Sequence, residues 1–112
     1  MQKELCKIAV ARNFRVEYHI LKSKIEYEGE ELEVYGVEIV KKQRKNGVLT
    51  VENEAIENIC VSKDKVYELI LTLAKNLVTP ITLRDIVEDM IAEGRLTTSE
   101  ERLILDGMLQ VV

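Results

Sequence analysis

The sequence is poor in residues that form covalent or metal-bound centres. It has two cysteines, Cys6 and Cys60, which lie far apart and form no C-x-x-C pair, and a single histidine, His19. Two scattered thiols in a reducing compartment are most often small buried hydrophobic residues, so we expect neither a zinc site nor a redox site. His19 lies on the less apolar side of a predicted strand, where a structural role is the more common one.

The motifs of common enzyme families are missing as well. The chain contains no G-x-S-x-G elbow, no phosphate-binding P-loop, no H-E-x-x-H helix and no dinucleotide fingerprint. The sequence therefore predicts a protein that is not an enzyme and that binds no cofactor.

No apolar run reaches the length of about 18 residues that suggests a membrane helix. The first residues also lack the apolar stretch and small-residue cleavage site of a signal peptide. We therefore expect a cytoplasmic protein with no membrane contact. With 46% hydrophobic and 32% charged residues, and no linker, repeat or low-complexity segment, the 112 residues are expected to fold as one domain.

A change of hydrophobic period divides the chain. Residues 5–12 place apolar residues at helical spacing, which favours a short N-terminal helix, with a strand as the alternative. From Phe14 the period becomes two, because Phe14, Val16, Tyr18 and Ile20 alternate with polar residues. That alternation is typical of a strand with one buried face.

Two turns are predicted to connect antiparallel strands. A two-residue loop at Glu28-Gly29 or at Gly29-Glu30 would make a hairpin, and the first choice places Ile25 opposite Leu32. The apolar positions change parity along this hairpin, so its tip and its base should turn their apolar sides to opposite faces, with a bulge near Gly36. Asn46-Gly47 is typical of a type I′ turn and predicts a second hairpin, followed by strand-like residues 48–51 and 56–61.

Amphipathic patterns predict helices in the rest of the chain. Ser62 is the expected N-cap of the first helix, and Pro80 should end it. Thr82 is expected to cap a second helix, with Asp85 as the acid of a capping box and Gly94 as the left-handed residue at its end. The spacing of Thr98 and Glu101 predicts the start of a third helical segment.

The predicted fold class is therefore α+β. A three- to four-stranded antiparallel meander should pack against two to three C-terminal helices within a single domain spanning residues 1–112. The expected parts are an N-terminal segment (residues 1–13), an antiparallel sheet (residues 14–61) and a helical part (residues 62–112).

Charge is expected to be polarised along this sheet. The two turns of a meander lie at opposite ends, so the glutamates of residues 26–33 gather at one end and four basic residues at the other: Lys41, Lys42, Arg44 and Lys45. The basic tip could bind an acidic protein, a second subunit or a phosphate backbone. The net charge of −4 and the lack of interleaved aromatic residues disfavour nucleic acid, which we keep as an alternative partner. Charged tips also keep sheet edges unpaired, without any binding role.

Three acidic side chains share one face of the second predicted helix. Asp85, Glu88 and Asp89 have the spacing that gathers them together, so they could bind a divalent metal or another small ligand, or a basic partner. Such a cluster is more often solvated charge, and no glycine-rich ligand loop accompanies it. If Asp85 caps the helix, Glu88 and Asp89 are the exposed pair.

Two stretches carry a resemblance to a known family. The strand motif E-x-Y-G-x-E-I at residues 33–39 is followed by N-x-x-x-P-x-x-L-x-D-x-V-E-D at residues 76–89. Together they resemble a family of short bacterial proteins of unknown function, over roughly residues 14–91. The resemblance implies a bacterial, cytoplasmic protein and brings no established catalytic residues.

These expectations favour a protein-interaction or regulatory module. Self-association is included, as a homodimer formed through the helical half or a sheet edge. Nucleic-acid binding through the basic tip and metal or small-ligand binding at the acidic cluster are the alternatives.

Overall fold

The computed structural model describes residues 2–96. In chain order, the elements are β1 (Gln2–Val10), β2 (Phe14–Tyr27), β3 (Glu30–Lys45), β4 (Val48–Cys60), α1 (Lys63–Lys75) and α2 (Pro80–Ala92). The strands form a four-stranded antiparallel sheet in the order β1-β2-β3-β4. This confirms the α+β meander. The third helical segment predicted at Thr98 and Glu101 lies outside the described residues.

The expectation of an N-terminal helix is wrong, because Gln2–Val10 form the edge strand β1. The pairing of β1 with β2 shifts register between Leu5 and Lys7, which leaves Cys6 as an extra residue in a bulge. The bulge turns a two-residue step into a three-residue step, so Leu5 and Ile8 occupy the same face of the sheet. The three-residue spacing of Leu5 and Ile8, which is also found along one face of a helix, is therefore produced here by a bulged strand.

The β2–β3 pairing runs without a break from the base of the hairpin to its tip. Ile25 lies opposite Leu32, as the Glu28-Gly29 loop requires, which confirms that register. Glu28 and Gly29 have φ angles of 51° and 79°, and Asn46 and Gly47 have 53° and 79°. Two consecutive positive φ angles define the type I′ turn, whose twist matches that of the flanking strands.

The two faces of the sheet differ in what covers them. Both helices pack on one face, here called the helix face, against a core that includes Tyr18, Ile20, Val37 and Ile39. The opposite face, here called the open face, has no described helix on it. The parity change is confirmed, because the apolar residues nearer the hairpin tip point to the open face; Leu21 and Val34 are among them.

The expected bulge near Gly36 lies in the β3–β4 pairing rather than within the β2–β3 hairpin. The register shifts between Tyr35 and Val37, where β4 inserts extra residues. The backbone of Ile56 and Glu57 lies where a side chain at residue 36 would project. Only glycine leaves room for this approach.

α1 begins at a side-chain cap, and both helices end at a residue with a positive φ angle. Ser62 is confirmed as the N-cap of α1, because its side chain accepts a hydrogen bond from the backbone N–H of Lys65 at 3.3 Å. α1 ends in a Schellman motif, in which the N–H of Val78 donates to the carbonyl of Leu73 at 2.9 Å and Leu77 has a φ of 51°. Gly94 ends α2 in the same way, with a φ of 71°, as expected.

The expected capping box at Thr82 and Asp85 is wrong. α2 begins three residues earlier than a Thr82 cap implies, with Thr79 as N-cap and Pro80 in the first turn. The hydroxyl of Thr82 donates to the carbonyl of Thr79 at 3.4 Å, and Asp85 lies inside the helix. Proline is well suited to the first helical position, where its missing N–H breaks no helical bond. Pro80 therefore starts α2, whereas α1 has already ended at Lys75, before the left-handed Leu77.

One buried hydrogen bond joins the sheet to the turn between the helices. The hydroxyl of Tyr18, at the centre of β2, donates to the carbonyl of Val78 at 2.8 Å. Burial raises the pKa of Tyr18 to about 12, so the hydroxyl keeps its proton at neutral pH. The bond satisfies a polar backbone group inside the core and fixes the turn over the sheet.

The Gly36→Ala variant is expected to lose about 2 kcal/mol or more of unfolding free energy, because the new Cβ would overlap the backbone of Ile56 and Glu57. Chemical denaturation measures this loss. The matched control is Gly47→Ala, at an open turn with a φ of 79°, for which about 1 kcal/mol is expected. A loss at Gly36 no larger than that at Gly47 would contradict the close approach.

The Tyr18→Phe variant keeps the ring but leaves the buried carbonyl of Val78 without its side-chain donor. We expect a loss of about 1–3 kcal/mol in unfolding free energy by the same measurement. Tyr67→Phe removes a hydroxyl from an exposed helical position and serves as the control, with an expected change below about 0.5 kcal/mol. Equal effects at both tyrosines would show that the Tyr18 bond does not stabilise the fold.

Candidate functional site

The strongest candidate site is a patch on the basic half of the open face, here called the open patch. Cross-strand partners arrange it in three rows, each with one residue from every strand. The rows are Leu5-His19-Glu38-Ala55, Ile8-Glu17-Val40-Asn53 and Val10-Arg15-Lys42-Val51.

Glu17 occupies the centre of the open patch and is only 8% exposed. Its Oε2 accepts from Arg15 Nη2 at 2.9 Å and lies 3.1 Å from Lys42 Nζ. Its Oε1 lies 3.3 Å from Nε2 of His19, a contact that assigns the proton to that ring nitrogen. The carboxylate is thus surrounded by three donors within the chain.

A second carboxylate is held in the neighbouring row. Glu38 accepts from Nζ of Lys3 at 2.9 Å and from Nδ2 of Asn53 at 3.1 Å. Lys3 comes from β1 and Asn53 from β4, so this network joins both outer strands through β3. The polar side chains of the inner strands therefore have partners on the protein itself.

Burial and hydrogen bonding act in opposite directions on the two carboxyl groups. Burial alone raises the pKa of Glu17, but hydrogen bonds from Lys42, His19 and Arg15 outweigh it, so the pKa lies below its ordinary value. Burial also raises the pKa of Glu38, but hydrogen bonds from Lys3 and Asn53 outweigh it, so this pKa too lies below its ordinary value. Both groups are therefore carboxylates at neutral pH.

Aliphatic side chains line the two sides of this charged centre. On β1, Leu5, Ile8 and Val10 are 46%, 45% and 77% exposed. On β4, Val51 is 54% exposed, and Leu49, next along the same face, is 51% exposed. Exposed aliphatic residues concentrated on one sheet face are typical of a surface that another chain covers.

The Glu17–His19 pair has no described nucleophile in hydrogen-bond contact with it. A general base that activates a nucleophile needs one beside it. The hydrogen-bond and ion-pair partners of Glu17 are instead Arg15, Lys42 and His19. A cavity of about 420 Å³ lies beside the N-terminal end of β1, lined by residues that include Ile20, Tyr35 and Lys63 rather than this pair.

The four basic residues predicted as a binding tip are divided between the faces. Nζ of Lys41 lies 4.7 Å from the ring centre of Phe14, and Lys42 pairs with Glu17. Arg44 continues the open face beyond the patch, and Lys45 precedes the Asn46-Gly47 turn. The meander does place the acidic and basic tips at opposite ends, and Lys22 and Lys24 pair with glutamates near the acidic tip.

The acidic cluster of α2 is not gathered into a described metal site. Asp85, Glu88 and Asp89 are exposed, and within residues 2–96 no group of three potential ligand side chains is placed to hold a metal ion. Glu88 lines a cavity of about 410 Å³ between α2 and β4. Both cysteines are unbridged, with Cys60 buried and Cys6 half-buried. No helix in this part of the chain is long and apolar enough to cross a membrane.

The whole open patch lies within a region that matches a known family. The model of the Family of unknown function (DUF6514) covers residues 1–93, far more than half of the chain. The chain belongs to this family. That confirms the resemblance to a family of unknown function. No curated protein and no solved structure matches the chain significantly.

The DUF6514 region contains functional candidates that the sequence reasoning missed. The sequence pattern makes Glu17 a polar position of an alternating strand and gives Glu38 no role beyond the motif of residues 33–39. It leaves Leu5, Ile8 and Val10 in an N-terminal segment that is a helix or a strand. The sequence does contain a signal for these residues. Acidic residues that alternate with buried apolar residues along a strand must lie together on the other face of the sheet. Their grouping depends on pairing across four strands, which periodicity within one strand does not show.

Glu17 should make stability depend on pH in the acid range. Because its folded pKa is depressed, its stabilisation is present above the unfolded pKa of about 4.3 and is lost as the pH falls through the folded pKa. We expect Glu17→Gln to lower the unfolding free energy by about 2 kcal/mol at neutral pH and to reduce its fall on acidification. Denaturation at a series of pH values tests this. Glu68→Gln, at an exposed site on α1, should leave the pH profile unchanged.

Proposed function

We propose that the protein is a non-enzymatic protein-interaction module that binds its partner through the open patch. The observation that carries this proposal is the exposure of Leu5, Ile8, Val10 and Val51 on both sides of one charged centre. These aliphatic side chains contact water as long as no partner covers the face. A partner that buries their apolar area removes this contact, which favours association.

The state of the charged centre supports the same proposal. Desolvating a charge is costly unless it already has partners, and Glu17 and Glu38 have theirs within the chain. A second protein can therefore cover the patch without supplying a counter-ion for either carboxylate. Arg15, Lys42 and Lys3 remain 50%, 41% and 49% exposed in their side chains, so they are available for contacts with the partner.

Nucleic-acid binding through the basic tip has less support. Lys41 lies over Phe14 and Lys42 pairs with Glu17, so neighbouring groups partly offset the positive charge at that end of the sheet. Phosphate binding depends on the number of cations that contact the backbone. With part of their charge offset in this way, the four basic residues would give only weak binding with a shallow salt dependence.

Site-specific photo-crosslinking in cells that naturally produce the protein tests the proposal. A photoreactive amino acid at Ile8 should give a protein adduct of one defined mass, and a second change, Val10→Lys, should abolish it because a charge would enter the apolar margin. Ile81 is the matched control, since it is an exposed isoleucine on α2, away from the patch.

Two results would contradict an interaction through the open patch. One is the absence of any adduct at Ile8 while the variant remains folded. The other is an identical set of adducts at Ile8 and Ile81, which would indicate contact without preference for this face.

A further inference from the structure

We propose that the partner of the open patch is a second copy of the same chain, packed face to face with its strands running in the opposite direction. This inference rests on the proposed function and adds the identity and orientation of the partner. It follows from the order of apolar and charged residues in the three rows of the patch.

Two sheets that stack through the same face can be related by a two-fold axis in the plane between them. If the axis runs along the strands, β1 of one copy lies over β4 of the other and each row lies over itself. If the axis runs across the strands, β1 lies over β1, β4 lies over β4, and the first and third rows exchange places. The side chains distinguish these two arrangements.

An axis along the strands would bring like charges together. In the third row, Arg15 of one copy would lie over Lys42 of the other, and this would occur twice. In the second row, Ile8 would lie over the polar Asn53. The outer rows would keep some favourable contacts, because Val10 would meet Val51 and His19 would meet Glu38. The repulsion between the cations and the polar partner of Ile8 at the centre disfavour this orientation.

An axis across the strands gives complementary contacts. Lys42 of each copy lies over Glu38 of the other, so acid meets base twice. Leu5 lies over Val10, and at the axis Ile8 meets Ile8 of the second copy. Two contacts are less favourable in this arrangement: Arg15 lies over His19, and the two Glu17 carboxylates approach across the axis. The three donors of each carboxylate limit the repulsion between them. The geometry therefore favours antiparallel stacking.

The size of the patch sets the expected affinity. Four strands and three rows span about 20 Å in each direction, which is smaller than a standard protein interface. We therefore expect a dimer with a dissociation constant in roughly the micromolar range, in exchange with the monomer.

Sedimentation velocity on the purified full chain over a concentration series is the first experiment. A monomer–dimer equilibrium is expected, and Ile8→Lys should raise the dissociation constant at least about tenfold because the residue is used twice at the axis. Ile81→Lys, on α2, should leave it unchanged. A strict monomer at all concentrations, or equal weakening by both variants, would overturn the proposal.

Cysteine pairing under a mild oxidant tests the orientation in a Cys6→Ser background. Ile8→Cys should link to itself across the axis, and Leu5→Cys mixed with Val10→Cys should give a linked heterodimer. A link formed instead between Ile8→Cys and Asn53→Cys would overturn the antiparallel arrangement in favour of the other axis. These disulfide links form between uncharged variants. They therefore test the contacts between the copies even if Ile8→Lys proves to be unstable.

The outcomes separate this inference from the proposed function. If the adduct at Ile8 in cells contains a different protein and the purified chain is monomeric, the second copy is overturned and the interaction module is retained. If the Ile8 probe crosslinks within its own chain, to residues 97–112, the second copy is overturned as well. If Ile8 gives no adduct in cells and the purified chain stays monomeric, both are overturned.

Discussion

The unbroken pairing of β2 with β3 determines the side of the sheet on which every other part of the molecule is placed. From Phe14 opposite Gln43 to Tyr27 opposite Glu30, no bulge interrupts the alternation of side chains between faces. The outer strands adapt to this central ladder, β1 by a bulge at Cys6 and β4 by extra residues opposite Gly36. These irregularities keep Leu5 and Ile8 on one face and bring the β4 backbone over β3.

Local chemistry explains which features the sequence was able to predict. The type I′ turn at Asn46-Gly47, the Ser62 cap and the left-handed Gly94 each depend on a few adjacent residues, and all were predicted correctly. The N-terminal strand was only the alternative to a helix because its bulge alters the hydrophobic period. The start of α2 was missed because proline can begin a helix as well as interrupt one. Both errors arise where the same local sequence pattern is compatible with two different structures.

The open patch could not be predicted because it is assembled across the sheet. Glu17, Glu38 and Lys3 belong to three strands, and their contacts require both the β1 bulge and the β2–β3 register. The candidate residues at the basic tip illustrate the same limit, since Lys41 and Lys42 are neighbours in sequence but project to opposite faces. Sequence indicated where charge was concentrated, whereas pairing decided which charges act together.

The charged centre and apolar margins of the patch have different physical consequences. A fully aliphatic face would bind many surfaces, because the hydrophobic effect has no directional preference. Once a partner covers them, the ion pairs at the centre penalise any surface that mismatches their charges. We therefore expect the margins to supply most of the attraction and Glu17, Glu38 and their cations to restrict the choice of partner.

The β2–β3 hairpin extends beyond both neighbouring strands. The pairing of β1 ends where Gln2 meets Lys22, and that of β4 ends where Cys60 meets Tyr35, so residues 23–34 form a two-stranded ribbon. Such ribbons are marginally stable in water, and the exposed ion pair of Lys24 with Glu31 adds little. Backbone amides of residues 24–33, where the side chains are exposed or half-buried, should therefore exchange with solvent deuterium through local fraying. Those beside Tyr18 should exchange only when the whole domain opens.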